Sequence, residues 1–392
     1  MGTTPEEVED TLPRAGEEPL CRTGSRERRS VVTAPATRSA WLRVLEGVRQ
    51  PLLTQTPRWL DGLTAMGHRD ASRLYSLPGG RELLLPLVAR GRGPVAVAAS
   101  WPHGLGYGGI LASDGRVTPE DSALVAADAA RHRGLRLSVA PSPWAPCWTA
   151  PPTGARAQDH HLTQVLPLPG PRGGAWAGYS TNVRRSVRRA ERAGLEVRRD
   201  VGGTVLADFD RLYRLSVDRW ALAGGKPLAL ARVHARFAEP PRHLAALAQV
   251  LGDAFVTWSA WREGEPVASI VVLHGSDHAF YWRGAMDRAL AARTHANALL
   301  HHLAIEESQA AGHRFYSFGE SDEGSPLAEY KAKFGAAPLR WSTYHFERFP
   351  VSATTASARR VVLAAASSAA GVTGRRPDRP VEPAQHGGAR RS

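Results

Sequence analysis

The chain has 392 residues, 43% hydrophobic and 22% charged, the balance of a globular protein with room for two ordinary domains and tails. Lys and Arg number 50 against 37 Asp and Glu, and the formal charge of +13 favours polyanions: nucleic acid, nucleotide co-substrates or an anionic membrane face. Two cysteines without a Cys-x-x-Cys partner, Cys21 and Cys147, exclude a disulfide framework and a thiolate zinc site and fit a reducing compartment.

Residues 1–38 are rich in Thr, Pro, Glu and Arg without apolar periodicity and read as a disordered tail. Glu6, Glu7, Glu9 and Asp10 stand where a secretory signal has a basic start and an apolar core. No run approaches the ~18 apolar residues of a membrane span, so the expectation is a cytoplasmic protein.

The ordered chain starts with strand-like runs at Leu83–Val88, Val95–Ala99 and Leu135–Val139. Between the last two, Thr118 is suited to cap a helix with Pro119 in its first turn, running through Ala130. Strands alternating with helices predict an α/β (α+β) layered architecture. The Pro/Gly-rich stretches Ala150–Gly154 and Pro167–Gly174 read as the connection between halves, giving lobes at 39–165 and 175–350 and a basic, disordered tail at 351–392. Within that tail, Arg359–Ala366 is compatible with a short helix.

The second half opens on a basic helix. Ser180 or Thr181 can cap it, Val183, Val187 and Ala190 form its apolar stripe, and Gly194 ends it. Its other faces carry Arg184, Arg185, Arg188, Arg189 and Arg192 against Glu191 alone, guanidinium forks suited to phosphate. A solvated charged face is the plain alternative. Val267–Leu273 reads as a buried strand, and after a turn at Gly275–Asp277 comes a second strand from His278 to Arg283. Ala296–Ala310 reads as a helix stopped by Gly312, followed by the strand Phe315–Phe318. Ser325, Pro326 and Gly335 then mark a short helix holding Tyr330-Lys331-Ala332-Lys333-Phe334.

The aromatic-Lys-x-x-Phe-Gly pattern after a strand-end glycine, together with the basic helix, resembles the FemAB-like branch of the GNAT acyltransferase superfamily. The resemblance implies two GNAT-like lobes with mixed, mostly antiparallel sheets flanked by helices. It also implies transfer of an activated acyl group to an amine, with no tightly bound cofactor. Lys331 would stabilise the oxyanion or leaving group, and Glu320 or Asp322 would orient the amine, turn capping being the plain role of the two acids. Arg184, Arg185 and Arg188 would hold phosphates, and Tyr330, Trp282 and Arg283 would line the donor site. Thr294 and His295 fall near a helix start, where backbone N–H groups favour an anion.

Coenzyme A-using members usually carry a glycine-rich loop there, whereas this chain has no glycine between Met286 and His302. Aminoacyl-tRNA is therefore the favoured donor, with acyl-CoA as the alternative and a non-catalytic nucleic-acid-binding module as a third reading. The amine acceptor (small molecule, sugar or peptide) is left open. The loop from Trp101 to Gly109 is where the resemblance would put the acceptor, its plain role being a turn. The pairs His160–His161 and His301–His302 lack partners at ligand spacing, so no metal is expected.

Overall fold

The computed structural model describes residues 31–350 except 103, 149, 171–173, 226, 239 and 240. The tails at 1–30 and 351–392, with the helix read at Arg359–Ala366, lie outside the described residues. Among the described residues, no helix is long and apolar enough to cross a membrane.

Residues 31–37, assigned to the tail by composition, belong to the fold. The strand β1 (Val31–Thr33) pairs with residues Leu74–Ser76, and Ala36 is buried with its N–H donated to Ser72 Oγ at 3.1 Å. A Pro/Thr-rich stretch thus gains order from tertiary partners that its own composition does not reveal. The first helix, α1 (Arg38–Gly47), is capped by Thr37 and buries Ala40, Trp41 and Val44. Helix α2 (Pro57–Ala65) follows a Thr56 cap.

The short strands β2 (Arg69–Asp70), β3 (Arg73–Ser76), β4 (Glu82–Leu85), β5 (Val88–Arg90), β6 (Val97–Ser100) and β7 (Leu111–Ala112) come next. Helix α3 (Pro119–Ala130) starts where the sequence predicts: Asp121 N–H donates to Thr118 Oγ1 at 3.2 Å, and Thr118 N–H donates back to the Asp121 carboxylate at 2.8 Å. Strands β8 (Arg136–Val139) and β9 (Ala157–Pro167) complete the first part of the chain.

The basic helix is α4 (Thr181–Glu191), capped by Ser180, with Val183, Val187 and Ala190 buried. After β10 (Glu196–Val201) come the helices α5 (Leu206–Ala223), α6 (Leu228–Ala238) and α7 (Pro241–Leu251). Then follow β11 (Phe255–Arg262), β12 (Glu265–His274), β13 (His278–Met286), α8 (Arg288–Thr294), α9 (Ala296–Ala310), β14 (Phe315–Glu320), α10 (Pro326–Ala332) and β15 (Ala337–Glu347).

A four-stranded sheet runs β1-β3-β4-β7. An eleven-stranded sheet, mixed and mostly antiparallel, runs β10-β11-β12-β13-β14-β9-β15-β8-β6-β5-β2 and spans both halves. Its central strand β9 lies between the two Pro/Gly-rich stretches, pairing with β14 on one edge and β15 on the other.

The apolar run of β12 is buried on both faces. Ile270 and Val272 join a core with Val187, Leu300 and Tyr316, under α4 and α9. Val271 and Leu273 join another with Trp59, Phe209 and Leu247, under α2, α5 and α7. That two-sided burial is why the run lacks alternation.

Candidate active site

The site begins where two parallel strands part. β13 and β14 pair only over His278–Phe280 and Phe315–Ser317. Beyond that, β13 stays with β12, while β14 shifts register against β9 between Ser317 and Glu320. Gly319 sits in this break with φ +67°, and a Cβ there would come 3.2 Å from the Tyr281 carbonyl oxygen. Glycine allows both the left-handed backbone and the close approach.

The gap opens into a cleft of about 1700 Å³. Tyr281, Gly284, Ala285 and Met286 line it from β13, Glu320, Ser321 and Asp322 from the end of β14, and Tyr330 and Lys331 from α10.

Lys331 is only 2% exposed. Its ammonium donates to the carbonyls of Gly319 at 3.1 Å and Glu320 at 2.6 Å, at the shifted end of β14. An ammonium has three donors, so one remains for a ligand. Burial pulls its pKa from 10.5 down to about 8, against the opposing pull of Glu320.

Beside it His301, buried among Tyr281, Phe318, Tyr330 and Phe334, places Nδ1 3.1 Å from the Tyr316 hydroxyl. Burial, helped by the Lys331 charge, lowers its pKa to about 3, so at neutral pH it is an uncharged ring. Burial raises the pKa of Tyr281 to about 12 and drives that of Tyr330 higher still. The Tyr330 hydroxyl is buried with no hydrogen-bond partner among the described residues.

The Glu320 carboxylate is 3.2 Å from His161 Nδ1. On the other side of the ring, His161 Nε2 is 3.1 Å from the Thr343 hydroxyl. The ring stacks on Trp341 at 4.2 Å. Asp322 is exposed in the following loop, near the Glu323–Arg340 ion pair of 2.5 Å. At the other wall, the Arg219 guanidinium donates to Met286 O at 3.3 Å, and Arg288 stands exposed. Burial and Arg288 together push the Arg219 pKa down.

The cleft thus brings together Lys331, Tyr330, Glu320 and Asp322 but not the other predicted site residues. Trp282 and Arg283 line a different cavity of about 220 Å³ with Phe209, Tyr213 and Leu244. The physical reason is the register shift between Val271 and Val272: Val271 pairs with Arg283 and Val272 with Tyr281, leaving Trp282 unpaired.

Thr294 ends α8 rather than opening a helix, is buried, and donates its hydroxyl to Leu290 O at 2.8 Å. His295 does precede α9, in the left-handed region at φ 55°, but its Nε2 lies 3.4 Å from Arg189 on α4. Arg184, Arg185 and Arg188 lie outside the cleft lining. Arg184 donates to Ala177 O at 3.3 Å, Arg185 is exposed, and Arg188 stands 5.7 Å from the Trp176 ring centroid.

The Trp101–Gly109 loop packs inward: the Trp101 indole donates to Thr54 O at 2.6 Å, and the Tyr107 hydroxyl is 2.8 Å from Thr163 Oγ1. His301, His161, Tyr281, Arg219 and Arg288 escaped the sequence reading as site residues. Among the described residues, no three His, Cys, Asp or Glu are grouped to hold a metal ion.

Residues 177–332 match the family model of the acetyltransferase (GNAT) domain. No curated protein matches the chain. Among solved structures, FemX is similar over 81% of this chain and 97% of its own, at 10% identity and a TM-score of 0.53. A tandem GNAT protein from the clavulanic acid biosynthesis pathway covers 82% of this chain and 98% of its own, at 14% identity and a TM-score of 0.44. L-PGS from Bacillus licheniformis covers 80% of this chain and 94% of its own, at 13% identity and a TM-score of 0.42. Residues 177–332 therefore carry an acetyltransferase (GNAT) domain, and the chain as a whole has a FemX-like fold.

Proposed function

We propose that the protein forms an amide by transferring an aminoacyl group from aminoacyl-tRNA to an amine, in the cleft between β13 and β14. The observation that carries the reading is the polarity of that cleft. Arg219 and Arg288 stand at the β13 wall, Glu320 and Asp322 at the β14 wall, and Lys331 at the root of the gap. An anionic donor suits the first wall and a cationic amine the second.

The amine gives one proton to the Glu320 carboxylate, which His161 steadies, and attacks the acyl carbon. The remaining N–H of Lys331 stabilises the oxyanion. With its pKa near 8, the same ammonium is acid enough to protonate the leaving oxygen. The second proton of the newly bonded nitrogen then restores Lys331. Asp322, at the cleft mouth, attracts the incoming amine.

Two features favour tRNA over a coenzyme A thioester. The start of α8, just after β13, is closed by its own carboxylate: Asp287 accepts from Ala289 N at 2.9 Å and Leu290 N at 3.0 Å. Those amides are not free to wrap a pyrophosphate. The arginine face of α4 lies outside the cleft, and the start of α4 meets the end of α10, where Ser180 N–H donates to Lys333 O at 2.8 Å. A donor much longer than the cleft is suited to reach both.

The test is a transfer assay with a labelled aminoacyl-tRNA pool, in parallel with labelled acetyl-CoA, over a panel of amines. Label should pass from tRNA to amine, and Arg184, Arg185 and Arg188 changed together to Gln should weaken the donor and flatten its salt dependence. Turnover from acetyl-CoA with none from charged tRNA would replace tRNA by the thioester as donor.

A further inference from the structure

Beyond Tyr344, the last cleft residue on β15, the strand leads to a second concavity of about 880 Å³. It is bounded by the end of α3, the turn at Gly154–Arg156 and residues Phe346–Arg348. Arg131, Arg133, Arg156 and Arg348 line it. None of the four guanidinium groups has a carboxylate partner among the described residues, and the one acid in the lining, Glu347, is only 7% exposed.

Elsewhere the fold does pair exposed arginines with acids, as in Arg38–Asp61, Arg58–Asp253, Arg211–Glu265 and Arg232–Asp218. The carbonyl end of α3 accounts for cations at Arg131 and Arg133. It does not account for Arg156 and Arg348, which come from other segments. Backbone bonds hold both segments at the rim, Arg156 N–H to His345 O at 2.8 Å and Arg348 N–H to Leu135 O at 3.4 Å. Four guanidinium groups against the single carboxylate of Glu347 leave an excess of positive charge in one hollow, which suits a further anion. Arg348 also lies 5.8 Å from the ring of Phe349, which is 59% exposed and offers a stacking surface.

We propose that this groove is a second anion site, separate from the acyl-transfer cleft, that holds the phosphate backbone of an RNA. Four guanidinium forks in one hollow suit several phosphates. Their concave arrangement suits a strand better than a flat bilayer, and the adjoining aromatic ring suits a base. Only the identity of the polyanion rests on the aminoacyl-tRNA reading.

The experiment measures binding of unacylated tRNA by fluorescence anisotropy across a salt series. It compares wild type with a variant carrying Arg131→Gln, Arg133→Gln, Arg156→Gln and Arg348→Gln. A charge-matched control changes Arg38, Arg58, Arg211 and Arg232 to Gln.

The groove variant should bind about tenfold or more weakly, with a log–log salt slope smaller by about 3, since each phosphate contact contributes roughly 0.7–0.9. The control should stay near wild type. Equal slopes in the two variants, or no tRNA binding by wild type, would overturn the proposal. So would loss of binding to phosphatidylglycerol vesicles in the groove variant with tRNA binding untouched. Transfer from acetyl-CoA alone, alongside groove-dependent tRNA binding, would overturn the donor reading and leave the groove standing.

Discussion

The ammonium of Lys331 lies 3.1 Å from the carbonyl oxygen of Gly319, in the stretch of β14 that has already left β13. The residue read from the sequence as chemical therefore also ties the open edge of the cleft. Replacing it removes two hydrogen bonds from strand-end carbonyls as well as the cation. Lys331→Ala should lower kcat by about 10²–10³, the usual loss for an oxyanion donor. It should also lower stability by about 1–3 kcal/mol, because two strand-end carbonyls, one of them buried, lose their partner. Transfer kinetics and urea unfolding on the same preparation check both, and wild-type turnover in this variant would remove Lys331 from the reaction.

The pH dependence follows from the same side chain. Burial puts the Lys331 pKa at about 8, and the proposed roles require the protonated form. The transfer rate should therefore fall as pH rises through about 8, whereas an unburied lysine would hold its proton to about 10.4. A profile measured from pH 6 to 10 that stays flat past 9 would contradict the assignment.

Gly319 and Gly324 separate strain from space. Both have positive φ, +67° and +70°, but a Cβ at Gly319 meets the Tyr281 carbonyl while one at Gly324 meets nothing within 4 Å. Gly324→Ala should cost about 1 kcal/mol, the left-handed penalty alone. Gly319→Ala should cost more and also slow transfer, because the added methyl pushes on the strand that forms the cleft wall. Equal unfolding midpoints for the two variants would contradict this account of the gap.

His301 gives a stability test with a definite sign. Its folded pKa is about 3 and its unfolded pKa about 6.5, so between those values the unfolded chain binds the proton and the folded protein does not. Stability should fall as pH drops from 6.5 toward 3, by up to ~1.4 kcal/mol per pH unit from this residue. In His301→Phe that part of the acid sensitivity should vanish. His68 and His274, each lowered to about 4, should preserve theirs. Urea midpoints at pH 7 and 5 provide the comparison, and an unchanged difference between them would count against the assignment.

Local signals carried well from sequence to structure. Thr118 with Pro119, Ser180, and Ser325 with Pro326 each mark the start of the helix they announce, because capping is decided within four residues. The buried run of β12 and the helix Ala296–Ala310 were legible from composition and period alone.

Properties set by distant partners were not legible. β9 escaped notice between Pro/Gly-rich flanks, although its pairing with β14 and β15 puts it at the centre of the sheet. Tyr281 rather than Trp282 meets the cleft because of a one-residue register shift against β12, invisible in the strand's own sequence. His301 looked like one of two histidines on a helix. Its environment is assembled from β13, β14 and α10, so nothing local could mark it.

β15 pairs with β9 over Ala337–His345 on one edge and with β8 over Tyr344–Glu347 on the other. The two halves are stitched by this returning strand, and they cannot swing apart about a hinge without tearing its ladder. A chain severed in the Pro/Gly stretch after Pro167 would still be held together by β9 and β15, and neither fragment alone would keep a whole sheet.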